Sequence, residues 1–278
     1  MSEFSKTTYN YNDRIKINDV TTNTNRYVLL NVPSILDTLI INTEDEKPSD
    51  VGVIDYGSKT GKGAMQLPVT LYGSSVDYMN EMIQVLKEAF NPDLLELDAT
   101  YGSTTAYNGY HPLDWTETVG ATSRAFRIYT KAEEIPQVAG DVLSGRVRKA
   151  TVKLKIQDPR KYLQTETTLA GAGAAVNAGT FTTPITITVT ASGATSTSLQ
   201  ITNSTTSESI YVSTALSAAQ VLVINTGTHS CTLDGVEKRS MLSGSTSWWK
   251  LNPGSNTLAI TNGTNASVAF AWRSAWPL

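Results

Sequence analysis

Short runs of alternating or β-branched residues fill the second half of the chain at intervals of about ten residues. Such runs favour β-strands, because successive side chains of a strand point to opposite faces of a sheet. No helical period interrupts them, and Asp234-Gly235 predicts a two-residue hairpin turn. This half is therefore predicted to be a sandwich or barrel with strands at PITITVT, SLQITN, SIYVST, VLVINT, TLAIT and SVAFAWR.

A change in charge content separates two domains. Residues 161–278 carry only 9 charged side chains, whereas the first 160 residues carry 38. The second part is rich in Ser and Thr and begins with LAGAGAAVNAG, whose small residues are typical of a linker or a loose first strand. We place the boundary near residue 164, so that the predicted domains are 1–164 and 165–278.

The composition of the whole chain argues against several classes of function. A formal net charge of -3 does not supply the basic surface that nucleic-acid binding requires, so we expect no sequence-specific nucleic acid as a partner. Cys231 is the only cysteine, which excludes an intrachain disulfide and a cysteine-based zinc site within one chain. We find no apolar leader and no run of roughly 18 apolar residues. We expect a soluble protein, made in the cytoplasm, with no membrane partner.

The first domain is predicted to be a sheet that carries one helix. Ser74 or Ser75 is the expected N-cap of the helix VDYMNEMIQVLKEAF, and Asn91-Pro92 is expected to end it. The apolar stripe of this helix consists of Met79, Met82, Ile83, Leu86 and Phe90. Strands are predicted around it at RIKINDV, RYVLLNV, MQLPVTLYG, LLELDATYG, SRAFRIYT and RKATVKLKIQD.

Three other stretches of the first domain are predicted to be loops or turns. Ala106 to Ser123 is expected to be a long loop, and loops of that length usually carry a function or cover a partner. The glycines of GSKTGKG, Gly57 to Gly63, are one residue too close for a phosphate loop, so we predict a mobile polar loop. NTEDEK at 42–47 lacks the alternating oxygen ligands of a calcium loop and is predicted to be a solvated acidic turn.

The sequence contains no complete set of residues for a catalytic site or a metal-binding site. His111 and His229 are the only histidines, and no G-x-S-x-G nucleophile motif occurs. His111 lies three residues before Asp114, close enough for a local contact, and is expected to be structural or part of an interface. We therefore predict no catalytic, cofactor-binding or metal-binding residues, no cofactor, and no enzymatic activity.

One predicted strand has a cationic face. Its basic residues alternate with the apolar residues Val152, Leu154 and Ile156, which predicts one buried face and one charged face. Solvation is the default use of the charged face, and pairing with a neighbouring subunit is the alternative. The basic residues are Arg146, Arg148, Lys149, Lys153 and Lys155.

Two adjacent tryptophans precede the turn Asn252-Pro253-Gly254. On a strand, the side chains of Trp248 and Trp249 would point to opposite faces. Trp249 shares its parity with Leu251 and is predicted to point inward. Trp248 is then the candidate for an exposed contact, either with a sugar or with another protein.

Taken in order, these features resemble those of siphophage-type phage distal tail proteins. The resemblance covers nearly the whole chain, from the strand-rich start and the single helix to SWWKLNPGSNTLAI and the terminal VAFAWRSAW. Its most specific motifs are Asp158-Pro159 followed by Tyr162, and Trp249-x-Leu251-x-Pro253-Gly254-x-Asn256. The chain departs from the family pattern in the stretch from Ala106 to Ser123 and in YGSKTGKG.

The resemblance implies a mainly β chain with two domains. The first would be a tail-tube-like β-sandwich or barrel with one α-helix, and the second a galectin-like β-sandwich. It also implies a homo-hexamer, a ring at the tail tip that joins the tail tube protein to the tail hub or tip protein. The ring would be assembled in the host cytoplasm and would be a platform for receptor-binding proteins, or contact host glycans.

Two alternative functions remain open from the sequence. The chain could be a tail tube subunit with a decorating β-sandwich, or a carbohydrate-binding adhesin. An enzyme that acts on sugars would need paired carboxylates in a cleft. The second domain offers only Glu166, Glu208, Asp234 and Glu237 for that purpose.

Overall fold

The chain divides into two compact units, Met1–Pro159 and Arg160–Leu278, in a computed structural model. The sequence placed the boundary near residue 164, whereas this division lies at Pro159. The structure describes residues 9–11, 15–17, 27–29, 34–36, 40–46, 53–60, 63–91, 110–119, 122–139, 147–156, 158 and 160–277.

The first unit consists of antiparallel strands and one helix in its described residues. The elements are β1 Tyr9–Tyr11, β2 Ile15–Ile17, β3 Tyr27–Leu29, β4 Ser34–Leu36, β5 Ile40–Glu46, β6 Val53–Thr60, β7 Gly63–Tyr72, α1 Val76–Ala89, β8 His111–Val119, β9 Thr122–Ala132, β10 Gln137–Ala139 and β11 Val147–Ile156. The main sheet has the strand order β2-β1-β8-β9-β11-β7-β3, while β4 pairs with β7, β10 pairs with β11, and β5 pairs with β6.

Helix α1 begins and ends where local chemistry predicts. Ser75 is the N-cap, and its Oγ accepts a hydrogen bond from the backbone N–H of Tyr78 at 3.2 Å. Phe90 is the C-cap residue. The buried side of the helix carries Met79, Met82, Leu86 and Ala89, whereas Ile83 of the predicted stripe is only partly buried.

The core of the first unit follows the period of two expected of a strand. On β7 the buried residues are Met65, Leu67, Val69 and Leu71, and on β11 they are Ala150, Val152, Leu154 and Ile156. These two strands pair over their whole length, with Val152 opposite Leu67. Their apolar side chains therefore form one continuous buried face.

The long loop predicted from Ala106 to Ser123 is wrong. Strand β8 occupies His111–Val119 and pairs with β9 in a hairpin whose register ends with Val119 opposite Thr122. Alternation is hidden in β8 because all residues from His111 to Trp115 are buried, on both faces of the sheet. The stretch 106–109 lies outside the described residues.

The predictions of a polar loop at Gly57 to Gly63 and of an acidic turn at 42–47 are also wrong, because both stretches lie largely in strands. Gly57–Thr60 belongs to β6, and Asn42–Glu46 belongs to β5. Polar residues in a two-stranded ribbon lack the apolar alternation by which a strand is recognised. The predicted strand LLELDATYG, residues 94–102, lies outside the described residues.

The second unit is a two-sheet β-sandwich with a short 3₁₀ helix at Arg239–Met241. One sheet has the order β13-β22-β15-β18-β19-β20 and the other β14-β21-β16-β17, while β12 pairs with β23. The strands are β12 Arg160–Leu163, β13 Thr167–Ala170, β14 Gly173–Asn177, β15 Ile185–Ala191, β16 Leu199–Asn203, β17 Glu208–Val212, β18 Val221–Asn225, β19 Ser230–Leu233, β20 Val236–Glu237, β21 Gly254–Thr261, β22 Ala266–Trp272 and β23 Ala275–Pro277.

The stretch LAGAGAAVNAG is part of the sandwich and does not form a linker. It contributes to β13, which pairs with β22, and to β14, which pairs with β21, so that the chain crosses from one sheet to the other. Close packing requires a glycine at one position of this stretch. A Cβ atom at Gly179 would collide with the backbone carbonyl of Ala275.

The mainly β fold with a C-terminal sandwich is confirmed. Inward residues of the two sheets form one apolar cluster that includes Ile187, Val189, Ile201, Leu258 and Phe270. The turn Asp234-Gly235 is confirmed as well, because Leu233 lies opposite Val236 and both turn residues have positive φ, 49° and 82°. Among the described residues, no helix is long and apolar enough to cross a membrane.

Candidate interaction site

The two adjacent tryptophans lie in the segment between the 3₁₀ helix and β21. The prediction that they lie on a β-strand is therefore wrong. Trp249 is 2% exposed and belongs to the apolar cluster of the sandwich, so its inward orientation is confirmed. Trp248 is half-buried and packs against the rim of the same cluster. The two neighbouring side chains therefore differ in burial although the segment is not a β-strand.

Backbone hydrogen bonds hold this segment in place. The N–H of Leu251 donates to the carbonyl of Thr183 at 2.8 Å, and the N–H of Thr183 donates to the carbonyl of Leu251 at 2.9 Å. Earlier in the segment, the N–H of Ser247 donates to the carbonyl of Ser209 at 2.9 Å. The tryptophan pair is thus fixed to both sides of the sandwich, since Ser209 lies on β17 and Thr183 lies two residues before the start of β15.

The turn after the tryptophans is held by one buried amide. Asn256 Nδ2 donates to the carbonyl of Asn252 at 2.8 Å and to that of Gly254 at 3.2 Å, while Asn256 Oδ1 accepts the N–H of Asn252 at 3.0 Å. Gly254 has φ +89°, a conformation that favours glycine. The motif Trp249-x-Leu251-x-Pro253-Gly254-x-Asn256 therefore builds a core anchor and a tight reversal.

The ring of Trp248 is covered by two basic side chains. The imidazole of His229 stacks on the indole with 5.1 Å between ring centroids and 17° between the planes. The guanidinium carbon of Arg239 lies 5.3 Å from the indole centroid. Both His229 and Arg239 are exposed, so this cluster presents an aromatic and cationic surface to solvent. These two groups already contact the indole on which a sugar ring would have to stack.

His229 owes its position to an unusual backbone conformation. Its φ is 55°, in the left-handed region, within the connection from β18 to β19. The side chain of Asn225 supports this connection, because its Oδ1 accepts the N–H groups of Gly227 at 2.8 Å and Thr228 at 3.1 Å. The pattern of apolar and polar residues in the sequence does not predict that the loop carrying His229 contacts Trp248.

His111 and Asp114 do not form the local pair that their spacing allowed. His111 is buried in β8 opposite Thr130. The carboxylate of Asp114 instead accepts two hydrogen bonds from Arg127 on β9, from Nε at 2.7 Å and from Nη2 at 2.8 Å. These hydrogen bonds raise the pKa of the Arg127 guanidinium. The arrangement is a buried structural ion pair.

The cationic face predicted on β11 is present at Lys149, Lys153 and Lys155 and is partly paired within the chain. Arg148 instead shares its parity with the buried residues of the strand. Lys153 Nζ lies 3.0 Å from Glu134 Oε1, and Lys155 Nζ lies 3.6 Å from Glu133 Oε1. Lys149 is exposed. The predicted member Arg146 lies outside the described residues.

The described residues contain no group of His, Cys, Asp or Glu side chains that could hold a metal ion. Cys231 is fully buried on β19, and burial, with a smaller effect of Glu237, raises the pKa of its thiol to about 11. A buried thiol that stays protonated is a poor nucleophile and a poor metal ligand. Cys231 is therefore a structural residue.

We expect Cys231 to react slowly with thiol reagents at pH 8 in the folded chain and completely after unfolding. The free energy of unfolding should fall as the pH rises from about 9 towards 11, because the unfolded chain releases the thiol proton first. Denaturant titrations of the wild type and of Cys231→Ala at several pH values measure the difference. Stoichiometric reaction of the folded chain within seconds would contradict the assignment.

Residues 178–276 match the family model described as the C-terminal domain of the siphovirus-type tail component. The match covers most of the second unit. The solved structure of the SPP1 Dit protein, titled a paradigm of the hub adsorption apparatus in phages that infect Gram-positive bacteria, shares the fold of this chain. The TM-score is 0.63 at 14% identity, over 97% of this chain and 98% of that one. The resemblance to siphophage distal tail proteins is therefore confirmed.

Two further solved structures show a weaker likeness to this chain. They are chains of the phage p2 baseplate in its activated conformation, one with Sr and one with Ca. Each has 7% identity and covers 96% of this chain and 97% of that chain, with TM-scores of 0.46 and 0.43. No curated protein sequence matches the chain.

Proposed function

We propose that this chain is the distal tail protein of a siphophage. In this proposal, residues 1–164 form a hexameric ring that joins the tail tube protein to the tail hub or tip protein, and residues 165–278 form a galectin-like domain. The ring is a platform for receptor-binding proteins at the tail tip of the virion, and is assembled in the host cytoplasm. The observation that carries the proposal is the family match of residues 178–276 together with a fold shared over 97% of the chain.

The same proposal makes the chain a structural protein without catalytic activity. The ion pair of Asp114 and Arg127 and the buried thiol of Cys231 both have structural explanations. Trp248 is proposed to contact another tail protein, because Arg239 places a positive charge and His229 a second aromatic ring against its indole. Stacking on a host glycan is the less favoured use, since both groups already contact the ring.

The number of copies per virion tests the proposal. Quantitative mass spectrometry of purified virions, with the major tube protein as the internal reference, should give the copy number of one hexameric ring. A copy number that increases with tube length in phages of different tail length would instead indicate a tube subunit with a decorating domain.

A further inference from the structure

The second unit carries an exposed arginine that is oriented by an aromatic ring. Arg239 begins the 3₁₀ helix, and its guanidinium carbon lies 5.3 Å from the centroid of the Trp248 ring. Within the described residues, this guanidinium forms no hydrogen bond and no ion pair. Contact with an aromatic ring orients a guanidinium but leaves its N–H donors available. Arg239 is therefore prepared to donate to a group from outside the chain.

The carboxylates that precede Arg239 in the sequence are engaged elsewhere. Glu237 Oε1 accepts a hydrogen bond from the N–H of Cys231 at 3.3 Å, and Asp234 Oδ1 accepts one from the N–H of Val221 at 2.9 Å. Within the described residues, neither carboxylate forms an ion pair with Arg239. The strand pairing of the second unit thus uses the nearby acidic side chains and leaves the arginine without a carboxylate.

Backbone hydrogen bonds fix the groups around this arginine. We call Trp248, His229 and Arg239 the Trp248 cluster. The hydrogen bonds already described hold the segment of Trp248 and the loop of His229. The 3₁₀ helix of Arg239 is held as well, because Met241 is buried and its carbonyl accepts the N–H of Ser213 at 2.8 Å. A site whose groups are already ordered loses less conformational entropy when a partner binds.

The charge of the second domain favours one kind of partner. Residues 165–278 have a net formal charge of zero, from the cations Lys238, Arg239, Lys250 and Arg273 and the anions Glu166, Glu208, Asp234 and Glu237. A polyanion such as a phosphate polymer requires an extended basic surface, which a domain without net charge does not supply. One arginine beside an indole is suited to a single carboxylate, because the planar guanidinium matches both carboxylate oxygens.

We propose that the Trp248 cluster binds an aspartate or glutamate side chain of another tail protein. This inference rests on the distal tail assignment proposed above and specifies the chemistry of one of its contacts. Arg239 donates to the carboxylate, and the exposed imidazole of His229 offers a further N–H donor. An apolar neighbour of the carboxylate packs on the exposed part of the indole. Tryptophan and arginine are both enriched among the residues that dominate binding at protein interfaces.

Cross-linking in intact virions tests the contact without knowledge of the partner. A carbodiimide joins a lysine amine to a carboxylate that touches it, and peptide mass spectrometry identifies both residues. The amine introduced by Arg239→Lys, and that of the exposed neighbour Lys238 in the wild type, are the two probes. At least one of them should be joined to an aspartate or glutamate of another tail protein.

Charge reversal then tests the pair that the cross-link identifies. The full chain with Arg239→Glu should bind the purified partner about tenfold or more weaker than the wild type. Replacing the partner's cross-linked carboxylate by lysine should restore binding to this variant. Lys87→Glu makes the same charge change at an exposed position of α1 and should bind like the wild type. Circular dichroism should confirm that each variant is folded.

The outcomes separate this contact from the proposed function. A tail tip that lacks this chain contradicts the distal tail assignment. If the chain is at the tip but neither amine joins a carboxylate of another tail protein, the assignment stands and this contact is wrong. Equal affinity of the wild type and Arg239→Glu for the partner also overturns it. Weaker adsorption to host cells by Trp248→Ala virions, with unchanged adsorption by Arg239→Glu virions, would overturn it in favour of stacking on a glycan.

Discussion

Replacement of Trp249 by Ala is expected to lower the free energy of unfolding by about 3–5 kcal/mol. Trp249 is among the largest fully buried side chains and sits in the apolar cluster between the two sheets of the sandwich. Its loss leaves a cavity that the hydrogen-bonded segment around it cannot close, because Leu251 is fixed to Thr183 on both of its backbone groups. Urea unfolding of the full chain followed by circular dichroism measures the change.

Two further substitutions sharpen this experiment. Trp249→Phe should cost less than Trp249→Ala, because it keeps an aromatic ring and removes an indole Nε1 that has no hydrogen-bond acceptor. Trp248→Ala should also cost less, because Trp248 is only half-buried. A larger loss for Trp248→Ala than for Trp249→Ala would show that the core anchor is misassigned.

Replacement of Asp114 by Ala is expected to cost about 3–5 kcal/mol, because it leaves the guanidinium of Arg127 buried without its carboxylate. The two side chains are only 10% and 11% exposed, and their bidentate contact joins neighbouring strands β8 and β9. Arg127→Ala should cost a similar amount. The double variant should cost much less than the sum, since no unpaired buried charge remains.

The exposed pair Lys153–Glu134 is the matched control for this double-mutant cycle. Its two side chains are 43% and 48% exposed, so its coupling free energy should be about 1 kcal/mol or less. Equal coupling free energies for the two pairs would contradict the assignment of Asp114–Arg127 as a buried structural pair.

Local signals predicted the parts of the fold that depend on nearby residues. The Ser75 cap, the Asp234-Gly235 turn and most strands of the sandwich follow from cap chemistry, positive φ and period-two alternation. The inward orientation of Trp249 followed from its parity with Leu251, which holds because the extended segment keeps strand-like alternation.

Features that depend on distant partners could not be predicted from local patterns. Strand β8 looked like a loop because Asp114 is buried on a second covered face, where it forms an ion pair with Arg127 on the next strand. Nothing near Trp248 in the sequence predicts that His229, held at positive φ, stacks on its ring. The β5–β6 ribbon lacked apolar alternation altogether.

The position of the protein in the virion tests the distal tail assignment most directly. Antibody labelling of intact virions, viewed by electron microscopy, should place this chain only at the end of the tail tube, next to the tip. Labelling along the whole length of the tube would contradict the assignment and identify a tube subunit that carries a β-sandwich.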